Sequence, residues 1–340
     1  MAANITYHEQ TDMDNIRKLR EVLKTLPAFA KDYFRAIEPT TSTKTRISYA
    51  YDIRIFFQFL ISQNPSLAKI GIPNLNVSVL DQLKPIDIEE YMEYLKLYDS
   101  PNDQTTITNG ERGLKRKISS LRSFYTYYYK RQAIETNPVQ LVDMPKIHDK
   151  AIIRLDAGET AALLDYIEHC GDQLTGQRKA YYEKTKLRDL AIVTLLLGTG
   201  IRVSECVGLD VEDIDFRNNG IRLIRKGGSE MVVYFGPEVE KALKDYLEAR
   251  KAISPLEGHE HALFYSTQRK RIGVQAVENL VKKYARAITT TKKITPHKLR
   301  STYGTTLYQE TGDIYLVADV LGHKDVNTTK KHYAAMDDAR

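Results

Sequence analysis

Four short segments in the C-terminal half carry side chains suited to phosphate chemistry, and Thr295-Pro296-His297-Lys298-Leu299-Arg300 is the most informative of them. Thr295 suits an N-cap and Pro296 the first helical position, so a helix is expected to begin here. A spacing of three puts His297 and Arg300 on one face of its opening turns. A helix N-terminus favours an anion, and these two residues add a proton-transfer group and a planar fork matched to phosphate. The bland alternative is a capped helix with an exposed polar histidine. Gly198-Thr199-Gly200-Ile201-Arg202 places an arginine just after an apolar helix, with Glu205 one turn further on. Taken alone, Arg202 reads as a surface arginine capping a helix dipole and paired with Glu205. Lys226 precedes Gly227-Gly228 at the tip of an expected hairpin. A hairpin tip can reach into a groove, although an ordinary turn lysine explains it equally well. Last, Leu321-Gly322-His323 is followed by Asn327-Thr328-Thr329 and His332-Tyr333. Gly322 reads as a helix stop and the Asn-Thr-Thr run as the cap of the next helix, which carries Tyr333. With 22 tyrosines in the chain, a core role for Tyr333 competes with a nucleophilic one.

Other chemistries lack their residues. The chain has no G-x-x-x-x-G-K-[ST] loop, and Gly198-Thr199-Gly200 lacks the third glycine of a dinucleotide turn. The spacing of His259-Glu260-His261 turns the two imidazoles apart, and no carboxylate cluster resembles a magnesium site. Cys170 and Cys206 are the only cysteines, which excludes a disulfide framework and a Cys-built zinc site. No metal or cofactor is expected.

The elements that must position these residues fall into two groups, as 340 residues predict. In the first, the spacing predicts helices closing over Asp32 to Ile37, over Thr43 to Leu60 with Ile47, Tyr51, Ile55 and Phe59 every fourth residue, and over Pro85 to Tyr98. Asp99-Ser100-Pro101-Asn102-Asp103-Gln104 has turn chemistry. A further helix sets Leu114, Ile118, Leu121, Tyr125 and Tyr128 on one stripe, with Lys115, Ser119 and Arg122 on a polar face. Residues 137–150 hold two prolines and no helical period, and read as the linker. The second group opens with the capping-box pattern Asp156-x-x-Glu159, continues with an apolar helix over Leu187 to Leu197, and then a hairpin of Ile221 to Ile224 and Met231 to Phe235. Helices resume near Pro237. The expected organisation is therefore a helical domain over 1–136, a linker over 137–150, and a larger, mainly α domain with one small antiparallel sheet over 151–340.

Lys and Arg number 50 against 44 Asp and Glu, a modest excess of +6. Its distribution says more. Arg112, Lys115, Arg116, Lys117, Arg122, Lys130 and Arg131 meet no acid up to Ile134, and between His261 and Gln309 ten basic residues face only Glu278. Two basic zones suit a grip on a polyanion from two sides, as well as two solvated helix faces. The longest mostly apolar stretch, Leu190 to Leu197, is too short to cross a bilayer, and the N-terminus has no apolar signal region. A cytoplasmic protein without a membrane partner is expected.

Each of these signals is weak singly; their order is not. Arg202, Lys226, His297-x-x-Arg300, Gly322-His323 and Tyr333 together resemble the signature of the tyrosine recombinase (phage integrase) family, across nearly all of 151–340. Thr45-x-x-x-Tyr49-x-x-Asp52 and Leu121-Arg-Ser-Phe-Tyr125 look like the first and last long helices of the family's core-binding domain. Arg225-Lys-Gly-Gly228 with Thr295-Pro-His-Lys-Leu-Arg300 is most similar to the Xer branch, and within it to the single-recombinase XerS form. The resemblance implies the tyrosine recombinase fold: a SAM-like core-binding domain plus a mixed catalytic domain.

It also implies that Tyr333 is the nucleophile of a 3′-phosphotyrosine intermediate, and that Arg202, Lys226, His297, Arg300 and His323 complete the catalytic set, with Glu205 behind Arg202. Lys44, Arg46, Lys115, Arg116, Lys117 and Arg122 are the expected DNA contacts. The implied partners are double-stranded DNA with a dif-like site, three further copies in a tetrameric synapse, and a DNA translocase; the implied location is the nucleoid. Two departures stand out. Ser301 occupies a position where many relatives carry a second histidine, and only seven residues follow Tyr333, where relatives have a longer tail. A mobile-element or phage integrase, a topoisomerase-like enzyme and a non-catalytic DNA-binding regulator are the competing readings.

Overall fold

A computed structural model describes residues 6–100, 105–148, 152–225 and 229–322. The chain divides into two compact units at Lys150/Ala151.

In the first unit, Thr6 and Glu9 close a reciprocal capping box that starts α1 (Tyr7–Leu23). After α2 (Ala30–Ala36), the Ser42 hydroxyl accepts the Thr45 N–H and starts α3 (Thr43–Gln63), which buries Ala50, Ile53, Phe56, Phe57 and Leu60. A short α4 (Pro65–Ile70) leads to α5 (Pro85–Tyr94), which ends earlier than the periodicity predicts. The Asn109 amide donates to the Leu95 carbonyl and satisfies the helix end. The chain then extends into β1 (Leu97–Asp99), paired antiparallel with β2 (Thr106–Thr108) so that Tyr98 faces Ile107. The N-terminal unit is thus helical with one hairpin rather than all-helical: Tyr98 stacks on Tyr94 with centroids 5.2 Å apart, a contact that an extended chain supplies as well as a helix. The last long helix, α6 (Glu111–Lys130), sets Leu114, Ile118, Leu121, Tyr125 and Tyr128 inward as expected. Its Phe124 meets Tyr33, Phe29 and Phe57 in the aromatic centre of the core.

Part of the expected linker is folded. Residues Pro138–Leu141 form α7, with Val139 and Val142 buried in the core of this unit.

The second unit begins with the Asp156/Glu159 capping box and α8 (Ala157–His169). Its central element is α9 (Gly176–Thr199), eleven residues longer at the start than the apolar run suggests. The opening turns are polar and exposed, so only the buried half carries a hydrophobic signal. Gly200 ends it in the left-handed conformation (φ 62°), and α10 (Val203–Gly208) follows. A three-stranded antiparallel sheet comes next: β3 (Ile214–Asp215), β4 (Gly220–Ile224) and β5 (Glu230–Tyr234), in that order, with Ile224 opposite Glu230. The two-residue β3 is too short to register as a sequence pattern. Four further helices lie among the described residues: α11 (Pro237–Arg250), α12 (Val274–Ile288), α13 (Pro296–Thr311) and α14 (Ile314–Leu321). α9 packs against α8, α11 and α13. No helix among the described residues is long and apolar enough to cross a membrane.

Candidate active site

The site is built around the end of α14. The last carbonyls of a helix have no partner within it, and here three successive ones are taken by three arginines. Arg225 Nη2 donates to the Val320 carbonyl (3.0 Å), Arg300 Nη2 to that of Leu321, and Arg202 Nη2 to that of Gly322 (3.3 Å). The cationic groups also complement the negative end of the helix.

Each arginine arrives for a local reason. Arg202 sits at the N-cap position of α10, presented by the turn at Gly200. That turn needs glycine twice over: its φ is positive, and a Cβ would run into the Tyr303 ring. Glu205, buried in the first turn, reaches back to both the backbone N–H of Arg202 (2.7 Å) and its Nη1 (2.8 Å). This fixes the guanidinium while leaving it 40% exposed, available to a ligand. Arg300 is only 4% exposed; besides Leu321 it donates through Nη1 to the Gly200 carbonyl. It therefore ties the α9–α10 turn to the α14 end. His297 lies exposed on the first turn of the same helix, three residues before Arg300, as the spacing predicts.

Among the described residues the structure thus brings together Arg202, Glu205 and Arg300. Lys226, His323 and Tyr333 lie outside the described residues; in the chain, Lys226 follows Arg225 and His323 follows Gly322. Arg225 itself was not a predicted site residue. A signal for it exists: Ile221 and Leu223 are buried on one face of β4, and strand alternation carries Arg225 to that same face. An arginine there must find partners, and the partners are not legible in the sequence.

The electrostatics follow from the partner types. Three guanidiniums converge with Glu205 as the carboxylate that bonds Arg202 and approaches Arg225. Each also donates to a backbone carbonyl, an acceptor that orients a cation without adding a negative charge. Burial pushes the pKa of Arg225 below the usual arginine value, against the pull of Glu205, and neighbouring Arg202 lowers it further. Such a site favours an anion with several oxygens.

The predicted DNA contacts of the first unit divide. Lys44 is exposed and Lys115 half-buried. Three others have partners within the unit. Arg46 is buried and paired with Glu38 at 3.0 Å. Lys117 is buried and its amine lies 3.3 Å from Asp52, which also binds Arg116. Arg122 donates to the carbonyls of Val139 (3.1 Å) and Val142 (2.9 Å), pinning α7. Basic residues on the polar side of a helix read alike in sequence; only the packing of α3, α6 and α7 separates those turned inward. Arg116 keeps a side chain 46% exposed despite its ion pair.

The ordered series of motifs, the helical fold and a cationic site at the end of α14 suit a DNA strand transferase. The phage integrase family model matches residues 154–340, and the chain belongs to that family, the tyrosine recombinases, which cut and rejoin DNA by transesterification in site-specific recombination. It is 33% identical to the tyrosine recombinase XerC of Caldanaerobacter subterraneus subsp. tengcongensis over 333 residues, covering 94% of this chain and 86% of that one. It is 30% identical to the tyrosine recombinase XerS of Streptococcus equi subsp. zooepidemicus over 335 residues, covering 92% and 93%. The fold is similar to that of the XerH site-specific recombinase bound to a palindromic difH substrate in a post-cleavage complex (TM-score 0.61, 17% identity, 87% of this chain and 78% of that one).

Proposed function

We propose that this recombinase acts in the manner of the Xer branch, on a dif-like DNA site, with four copies in the synapse and activation by a DNA translocase at the nucleoid. The reading rests on two supports: similarity to XerC and XerS over more than nine-tenths of the chain, and the convergence of Arg202 and Arg300 on the segment leading into His323.

In the proposed reaction the Tyr333 oxygen attacks the scissile phosphorus. A Tyr–O–P bond forms, the P–O5′ bond breaks, and the bond energy is kept in a 3′-phosphotyrosine. A phenol with a pKa of about 10 needs a proton acceptor at neutral pH, and exposed His297 is assigned that part. The leaving 5′-oxygen needs a proton, assigned to Lys226. Arg202 and Arg300 hold the two non-bridging oxygens as charge gathers on them, and His323 adds a hydrogen bond. Glu205 orients Arg202. Duplex contacts are assigned to Lys44, Lys115 and Arg116, whose side chains retain exposure.

A nicked suicide duplex carrying dif-like sequences tests this directly. The wild-type protein is expected to become covalently attached in EDTA, whereas Tyr333→Phe binds the duplex and forms no adduct. A protease-sensitive DNA–protein band from that variant removes Tyr333 from the mechanism. Capture only on sequences unrelated to dif would move the biology to a mobile element.

A further inference from the structure

Arg225 has a structural position that the assigned chemistry does not use. Its own N–H donates to the Ser229 carbonyl (2.8 Å), closing the ladder at the end of β4. Its side chain turns to the buried face and is only 12% exposed. There Nη2 holds the Val320 carbonyl, while Nε lies 3.9 Å from a Glu205 oxygen and makes no hydrogen bond among the described residues. The guanidinium lies directly against Gly322: a Cβ at that position would fall on it, and Gly322 adopts the left-handed conformation (φ 60°). A third cation is thus kept in a desolvated place beside Arg202, against both burial and like charge. A residue needed only for solubility would not sit there.

We propose that Arg225 is a positioning residue for DNA cleavage, clasping the end of β4 to the Val320 carbonyl and Glu205 and so fixing the base of the hairpin against the arginine pair. Lys226 is bonded to it, so displacement of Arg225 carries over to the amine. The inference rests on the reading of Lys226 as the acid that protonates the leaving oxygen. Arg202 and Arg300 keep their own bonds to Glu205, Gly200 and the α14 carbonyls, so a defect in proton delivery is separable by experiment from one that reaches the phosphate clamp.

The test compares a normal phosphodiester with a 5′-phosphorothiolate at the scissile position, using the full-length protein and single-turnover adduct formation. Breaking P–S releases a thiolate that needs no proton, so a defect in proton delivery disappears on that substrate while a folding or clamp defect persists. Arg225→Ala is expected to form adduct about a hundredfold more slowly on the phosphodiester and near the wild-type rate on the phosphorothiolate. Arg225→Lys, which keeps a donor for the Val320 carbonyl, should recover most of the phosphodiester rate. Lys226→Ala, run in parallel, should be rescued by sulfur to the same degree. If sulfur rescues Lys226→Ala but leaves Arg225→Ala equally slow on both substrates, the positioning role is overturned while the lysine keeps its part. If sulfur fails to rescue Lys226→Ala, the acid assignment falls, and this inference with it.

Discussion

Each unit of the molecule holds a cluster of basic residues around a buried carboxylate, and the two do different work. In the first, Asp52 is 2% exposed and takes both Lys117 and Arg116. Burial still pushes its pKa above the ordinary aspartate value, against the pull of Lys117 and Arg116. The cluster joins α3 to α6, and the lysine is buried with its carboxylate. In the second, Glu205 takes Arg202 and approaches Arg225, while one or more donors of each arginine reach the carbonyls of Gly200, Val320, Leu321 and Gly322. A carbonyl aims a guanidinium but leaves its full charge in place. What separates the two clusters is exposure: Lys117 is enclosed with Asp52, whereas Arg202 keeps 40% of its side chain open while Glu205 holds it.

The contrast is broken most directly at Arg300. Arg300→Lys keeps the charge but cannot reach the Gly200 and Leu321 carbonyls with one planar fork. Single-turnover cleavage is expected to fall by about two to three orders of magnitude, a typical cost for removing a transition-state donor. Undiminished cleavage would return Arg300 to a purely architectural role.

Asp52→Ala addresses the other side. It leaves the buried Lys117 amine without its carboxylate, and an uncompensated buried charge costs about 3–5 kcal/mol. The melting temperature of the first unit should drop accordingly, while adduct formation at saturating DNA is retained at temperatures where the variant is folded. Loss of cleavage by the folded variant would mean that the cluster reaches further than its hydrogen bonds indicate.

A surface pair outside both clusters calibrates the scale. His261 bonds Glu212 at 2.9 Å with both side chains more than half exposed, which raises the histidine pKa above its ordinary value. A raised folded-state pKa means that the added stability is present below the unfolded value near 6.5 and is lost as pH rises through the folded one. After solvent screening the effect should be at most a few tenths of a kcal/mol. His261→Ala should therefore flatten the melting profile slightly across neutral pH; a larger change would show that the pair is coupled to something beyond Glu212.

Much of the framework was legible in the residues because local rules act over one turn of chain. Asp156 and Glu159 announce their capping box, Gly200 and Gly322 their left-handed helix ends, and Thr295-Pro296 the start of the helix bearing His297 and Arg300. The hairpin strands follow from alternation and flanking turns. The strand at Leu97–Asp99 was hidden because its partner lies nine residues away at Thr106–Thr108, and an apolar residue such as Tyr98 satisfies a helical period as well as a pleat. The burial of Lys117 was hidden for a related reason: Arg116 and Lys117 both meet Asp52, and only the rotation of the helix decides which of them is enclosed.

The amino-acid sequence alone determined the order of reactive residue types, the helix ends that present them and the family to which they belong, since each depends on neighbours within a few positions. Which guanidiniums converge, and which of them stays exposed, was decided only in three dimensions. The acceptors that aim Arg202, Arg225 and Arg300 are backbone carbonyls from as far as 120 residues away, and every residue type has one, so no pattern of letters marks them.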